Sequence, residues 1–137
     1  MHRLLPLAQY KTYAALGAAV VAGPGLDTNT VVAVPAPAVR ADRTFTSARA
    51  LRDFLSKQKS GVRRINVVTV GAHSRRTRLL YEKAMGDDWQ IGMIAVPDES
   101  YDLRSWYRSS NGVRNILDET IAYVYARFFF REEGARD

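Results

Sequence analysis

The chain has 137 residues, 47% of them hydrophobic and 25% charged, so its length and composition suit one soluble globular domain with a substantial core. The net charge of +6 comes mainly from sixteen arginines, which are scattered without any block of five like charges, and this excludes an evident nucleic-acid patch. The lack of cysteine excludes disulfides, a thiol nucleophile and cysteine-ligated metals, and two histidines do not predict a metal site.

The N-terminal part is rich in alanine and predicts a helix over Leu7–Ala22, closed by Gly23-Pro24-Gly25. Its apolar stretch resembles the centre of a signal peptide, but Lys11 interrupts it and it is too short to span a bilayer. We therefore predict no membrane span. Asp27–Asn29 predicts a turn.

The next elements are a strand and an amphipathic helix. Thr30–Val34 is rich in β-branched residues and predicts a strand that ends at Pro35. A helix follows, for which Thr44 or Thr46 can serve as the N-cap. Its predicted core face has apolar residues at spacings of three and four, namely Ala48, Leu51, Phe54 and Leu55.

The central motif is a strand, a short turn and the start of a helix. Ile65–Val70 predicts a buried strand, which Gly71-Ala72 ends. Ser74 is the predicted N-cap of a helix that reaches Met85 and buries Leu79, Leu80 and Ala84. Gly86 then turns the chain, and Gln90–Val96 predicts the third strand.

The C-terminal part predicts a long loop over residues 98–112 and a helix over Asn115–Phe130. Asp118 and Glu119 fall in the first turn of this predicted helix, where the macrodipole favours negative charge. The expected core stripe of the helix consists of Leu117, Ile121, Val124, Tyr125 and Phe128. Residues 131–137 are expected to be a disordered tail.

Strands that alternate with helices predict an α/β fold with a short parallel sheet flanked by helices, formed by one domain over residues 1–130. The carboxyl ends of such strands are the edge at which α/β proteins bind ligands. We therefore expect Arg43, His73 and Ser110 to line one concavity there.

Basic side chains cluster directly after the central strand. Arg75 and Arg76 lie in the first turn of a helix, where positive charge conflicts with the macrodipole. Two interpretations are open: an anion or an acidic residue lies between them, or both point into water. His73 is either a general acid–base or anion donor, or an ordinary turn residue. Ser110 lacks a Gly-x-Ser-x-Gly context, which disfavours a nucleophile-elbow hydrolase.

Four segments, taken in order, resemble the YdcF/SanA/ElyC-like family, the large bacterial family known as domain of unknown function 218. These segments are Asp42–Ala48, Val67–Arg76, Trp106–Arg114 and Glu119. The resemblance covers about Tyr13 to Phe130. It implies a three-layer Rossmann-like fold, a link to envelope or cell-wall polymer biology, and a nucleotide-like ligand such as S-adenosylmethionine.

Glu119 is either a catalytic base or a residue that complements the helix dipole or pairs with an arginine. Carried over by residue, the resemblance implies a site that includes His73 and Glu119, which are the candidate catalytic residues. It implies a ligand-binding set of Arg43, Thr44, His73, Ser74, Arg76, Ser110 and Gly112. The family opens with a strand, a glycine-rich turn and an acidic residue on the next helix, which do not occur here. We expect either a truncated product or a natural short member of the family.

Two functional hypotheses follow. In the first, the domain binds a small anionic or nucleotide-like ligand, with His73 and Arg76 at the pocket. In the second, a non-catalytic family member acts as an oligomeric interaction domain. The aromatic residues Tyr123, Phe129 and Phe130 exceed one core stripe, and they predict a homo-oligomer. The expected location is the cytoplasm, or the soluble part of an envelope-associated protein.

Overall fold

A computed structural model of the chain describes residues 10–23, residue 25 and residues 27–132. The chain divides into two compact units, residues 1–60 and residues 61–137. The single domain expected over residues 1–130 stays a prediction.

The first unit contains two helices. Helix α1 covers Tyr13–Ala22, and the Thr12 hydroxyl caps it by accepting a hydrogen bond from the Ala15 backbone amide. The predicted start at Leu7 lies outside the described residues. Helix α2 covers Arg43–Lys57 and buries Phe45 and Ala48.

The N-cap prediction for α2 was wrong. Its cap position is Asp42, whose backbone is left-handed (φ 57°) and whose side chain makes no capping hydrogen bond. Thr44 and Thr46 therefore lie inside the helix. Asp42 adopts the αL conformation, which aspartate tolerates better than most residues, and the helix begins at the next residue, before either threonine.

The predicted strand Thr30–Val34 was also wrong. Thr30 ends a short 3₁₀ turn over Thr28–Thr30, and residues 31–39 are neither helix nor strand. Val31 does have extended dihedral angles, so the local preference was interpreted correctly. A strand also needs a partner for its backbone hydrogen bonds, and among the described residues this segment pairs with none.

The second unit is built on two parallel strands. Strand β1 covers Arg64–Val70 and pairs with β2, Gln90–Val96, in a register that places Arg64 beside Gln90 and Val70 beside Val96. Helix α3, Ser74–Met85, connects them and packs on both strands. The structure is thus α/β with a parallel sheet, and the three-layer arrangement stays a prediction.

The sheet is covered mainly on one face. Leu79, Leu80 and Ala84 of α3 are buried as predicted, together with Ile91 of β2. By contrast, β1 is not the buried strand that its sequence predicted: its residues alternate between partly buried and exposed, and Val68 is 63% exposed. A strand of β-branched residues can be hydrophobic on both faces while only one face is packed.

Helix α4 covers Ser110–Phe128 and therefore begins five residues before the predicted start. The Ser109 hydroxyl caps it by accepting a hydrogen bond from the Gly112 amide. A six-residue 3₁₀ segment, Leu103–Arg108, occupies most of the loop before it. Asp118 and Glu119 consequently lie in the middle of α4 and not in its first turn.

The predicted core stripe of α4 was wrong as well. Gly112 and Ala126 are its buried residues, whereas all five predicted core residues are exposed: Leu117, Ile121, Val124, Tyr125 and Phe128. The helix packs through the opposite side against α3 and the 3₁₀ segment. A periodic apolar stripe shows that a helix has a face to bury, but it does not specify what buries it.

Candidate functional site

The carboxyl end of β1 turns sharply into α3. Gly71 has a positive φ of 37° at this point, a conformation that side-chain-bearing residues adopt rarely. The chain then forms one 3₁₀ turn, Gly71–His73, which continues directly into α3. Ser74 is therefore the first residue of α3 and not its N-cap, since the cap position is His73 and its side chain makes no capping bond.

Glu119 of α4 is the centre of the polar cluster at this turn. It accepts two hydrogen bonds from the Arg76 guanidinium, at 2.9 Å from Nε and 3.0 Å from the terminal nitrogen. The Nδ1 atom of His73 lies 2.5 Å from Oε1, the same carboxylate oxygen that accepts the bond from the terminal nitrogen of Arg76. The Glu119 side chain is 11% exposed, against 27% for Arg76 and 40% for His73.

The charge state of Glu119 follows from these contacts. Burial raises its pKa, but the hydrogen bonds and positive charge of Arg76, followed by those of His73, outweigh it and hold the pKa below its ordinary 4.5. An ionised carboxylate can only accept hydrogen bonds, so the Nδ1 atom of His73 carries the proton. In the neutral ring, Nε2 then has a free lone pair, since Glu119 is the only hydrogen-bond partner of His73 in the described part of the chain.

A pocket of about 310 Å³ opens beside this cluster. One wall is the turn and first residues of α3, and the other is a face of α4. The residues that line it are Gly71, Ala72, Ser74, Arg75, Arg76, Leu103, Ile116, Glu119, Thr120 and Tyr123. Its size is at the lower end of the range for small-molecule sites.

Arg75 contributes a second guanidinium to the pocket, in a different environment from Arg76. It lies over the ring of Tyr123, 5.8 Å from the ring centroid, and no acidic partner is found for it among the described residues. The charge of Arg76 is compensated by Glu119, whereas that of Arg75 is not. The sequence left open whether Arg75 and Arg76 have an anion or acidic residue between them or point into water. For Arg76, the structure shows an acidic neighbour, Glu119.

Tyr101 adds a buried hydroxyl to the second unit. The residue is only 8% exposed, and its hydroxyl has no hydrogen-bond partner within the described ranges. Burial raises the pKa of this phenol, and the negative charges of Asp98 and Glu119 raise it further. Tyr101 is therefore a neutral group near the carboxylate of Glu119.

The structure brings only part of the predicted site together. His73, Ser74, Arg76 and Glu119 meet at the turn, and three of them line the pocket: Ser74, Arg76 and Glu119. His73 contacts Glu119 but does not line the pocket, and neither do Ser110 and Gly112 in the first turn of α4. Gly112 is buried against the backbone of Trp106: a Cβ atom added to it would lie 2.3 Å from the Trp106 carbonyl oxygen.

Arg43 and Thr44 belong to α2 in the first unit. Their participation in the site with His73, Arg76 and Glu119 stays a prediction.

Sequence reasoning named Glu119 but missed the other residues of α4 that line the pocket, Ile116, Thr120 and Tyr123. Ile116, Glu119, Thr120 and Tyr123 repeat at spacings of three and four, so they share one helix face. This face has a carboxylate beside an aromatic residue, a signal that could have been found. It was overlooked because the more strongly apolar stripe of α4 was taken as the packed side, and Tyr123 was assigned to a partner surface.

Comparisons of the chain with protein-family models, with curated proteins and with solved structures each found no match. Among the residues that the structure describes, no group of three or more histidine, cysteine or acidic side chains could hold a metal ion. In the same part of the chain, no helix is long and apolar enough to cross a membrane.

Proposed function

We propose that this protein binds a small anionic ligand in the pocket between the start of α3 and α4. The observation that carries the proposal is the unequal pairing of the two arginines. Glu119 compensates Arg76, while Arg75 brings a positive charge to the pocket wall, lies over the Tyr123 ring and has no acidic partner within the described ranges. An anion bound there would meet a charge that the described protein groups leave uncompensated.

The start of α3 strengthens the positive potential in the pocket. The first turn of α3 contains no acidic residue, and the backbone amides at the amino end of a helix carry partial positive charge. Arg75 and Arg76 are part of this same turn. A phosphate or carboxylate would relieve the repulsion between the guanidinium of Arg75 and the helix end.

The remaining walls fit a ligand with an apolar or planar part. Leu103, Ile116 and Tyr123 supply apolar surface beside the charged end. A ligand that carries a phosphate and a flat heterocycle matches this combination. Within the resemblance to the YdcF/SanA/ElyC-like family, the proposed ligand is nucleotide-like, and the proposed setting is the metabolism of envelope polymers.

His73 gives the site a group that can move protons. Its Nδ1–H is held by Glu119, which fixes the orientation of the ring and leaves the Nε2 lone pair available. His73 does not itself line the pocket, but 40% of its side chain is exposed and it shares the Glu119 carboxylate with Arg76, which does line it. In the proposed site, Nε2 is a general base toward a ligand hydroxyl or, when protonated, a donor to an anion.

Thermal unfolding tests the proposal. Inorganic phosphate, adenosine monophosphate, adenosine and S-adenosylmethionine are titrated against the full chain. An anionic ligand at ten times its Kd should stabilise the protein by about 1.4 kcal/mol, which raises Tm by about 5 °C for a chain of this size. Adenosine, which lacks the anion, should raise Tm much less.

Arg75→Gln should remove the shift that anions produce, while Arg78→Gln should retain it. Arg78 is a matched control because it lies on the same helix, one turn away from the pocket, in an exposed pair with Glu82. An equal shift in Arg75→Gln and the original protein would refute the proposed site. The absence of any shift with all four compounds would refute the ligand class.

A further inference from the structure

Helix α4 has one packed face and, opposite to it, one exposed apolar face. One side packs against the rest of the second unit and contains three residues spaced by seven: Gly112, Glu119 and Ala126. The opposite side of the helix contains Leu117, Ile121, Val124 and Phe128. We call these four residues the outer stripe.

The outer stripe is strongly apolar and exposed. Ile121 is 68% exposed and Phe128 is 73% exposed, and Leu117 and Val124 are exposed too. Tyr125 and Phe129 extend the stripe on one side, where their rings stack at a centroid distance of 6.4 Å. The apolar surface is therefore continuous along the last three turns of the helix.

The spacing of the outer stripe is that of a helix-pairing seam. Its residues follow one another at intervals of four, three and four, which is the a/d pattern of two packed helices. If Leu117 and Val124 are assigned to heptad position d, and Ile121 and Phe128 to position a, the f position points away from a partner helix. The f residues are then the packed ones, Gly112, Glu119 and Ala126. The same helix can thus pack on its own unit and on a second helix at once.

The exposed area is sufficient for a specific contact. If a large apolar side chain exposes roughly 200 Å², the exposed fractions of these six residues correspond to about 700 Å². A standard interface buries about 800 Å² on each partner. A patch of this size exceeds what monomers ordinarily leave exposed.

We propose that the outer stripe is an interface between two copies of this chain, in which the two α4 helices pair around a two-fold axis. A two-fold interface requires a self-complementary surface, and a row of aliphatic and aromatic residues meets this requirement. The charge of α4 also permits it. Although the whole chain carries +6, α4 has two arginines and two acidic residues, so two copies of this helix do not repel each other.

This interface differs from the one that the sequence predicted. Tyr123 and Phe130 were expected to face a partner, but Tyr123 lines the pocket and Phe130 lies over Lys83 of α3, whose Nζ is 5.6 Å from the ring centroid. The proposed interface consists instead mainly of the outer stripe, whose residues the sequence had assigned to the core. The inference concerns the side of α4 away from the pocket, so it does not depend on the proposed ligand.

The test is sedimentation velocity of the full chain across a dilution series at micromolar concentrations. We expect a mass of twice 15.4 kDa that falls to the monomer on dilution. The double variant Ile121→Gln, Phe128→Gln should raise the dimer dissociation constant tenfold or more. Glutamine is at least as good a helix former as the residues it replaces, and both positions are exposed, so circular dichroism should show an unchanged fold.

Two control variants locate the contact. Arg78→Gln places the same side chain on the exposed surface of α3, away from α4, and Val68→Thr alters the exposed face of the sheet. Both should retain the dimer. A monomer at every concentration, an assembly larger than two copies, or equal weakening by either control would each overturn the proposal, the last by assigning the contact to another surface.

Discussion

Arg76 donates two hydrogen bonds to the carboxylate of Glu119, although 43 residues separate them along the chain. The same carboxylate holds the ring of His73. One side chain of α4 thereby fixes two side chains at the start of α3 and connects the two helices through a partly buried polar cluster.

Glu119→Gln should destabilise the second unit by about 2 kcal/mol, because it leaves the Arg76 guanidinium partly buried without its counter-charge. Glu82→Gln is the matched control. Glu82 also accepts a hydrogen bond from an arginine Nε, at 2.8 Å, but this pair is exposed, so its loss should cost about 0.5 kcal/mol or less. Urea unfolding at neutral pH compares the two, and equal losses would contradict a structural role of the cluster.

Stability should fall as the pH drops below about 4.5. The folded-state pKa of Glu119 is below its ordinary value, so the unfolded chain binds more protons in this range and acid favours unfolding. The contribution of Glu119 is complete above pH 4.5 and is lost as the pH passes its folded-state pKa. Unfolding free energies measured from pH 5.5 to pH 3 should show this slope.

Glu119→Gln should make that slope shallower. The carboxyl of Asp98 also has a lowered pKa, because it accepts hydrogen bonds from the Ser100 hydroxyl and backbone amide. Asp98→Asn therefore measures how much of the pH dependence of stability comes from Asp98 and not from Glu119. A slope that is identical in Glu119→Gln and the original chain would show that this carboxyl titrates alike in the folded and unfolded states.

The neutral ring of His73 should carry its proton on Nδ1. Glu119 as an ionised acceptor selects this tautomer, whereas a free imidazole in water has no such partner. Nitrogen-15 chemical shifts of the two ring atoms distinguish the tautomers directly. The preference should weaken in Glu119→Gln, and a proton found on Nε2 in the original chain would contradict the arrangement.

Two helical glycines should respond oppositely to alanine. A Cβ atom at Gly112 would lie 2.3 Å from the Trp106 carbonyl oxygen, so Gly112→Ala must displace α4 and should cost about 2 kcal/mol or more. Gly17 lies within α1 with nothing near its Cβ position. Gly17→Ala should stabilise the chain by about 0.5–1 kcal/mol, since alanine is the better helix former. Thermal unfolding measures both, and destabilisation by Gly17→Ala would contradict the open space around it.

The sequence by itself determined the elements whose signals are local. The bounds of β2 were predicted in full, as was the end of α3, because glycine and proline punctuate those segments and apolar residues repeat at the correct period. The start of α4 was missed because serine, asparagine and glycine at residues 110–112 are typical of loops. Here they form the first turn of the helix, which lies so close to the Trp106 backbone that only a residue without a Cβ atom fits at position 112.

Only the tertiary structure decided which surfaces meet. Thr30–Val34 had the composition of a strand, yet a strand exists only where a second backbone accepts its hydrogen bonds, and nothing in five residues specifies that neighbour. The hydrophobic stripe of α4 was recognised, but periodicity does not reveal the direction in which a helix faces. Glu119 joined Arg76 and His73 because the opposite face of α4 packs on α3, a contact between residues more than forty positions apart.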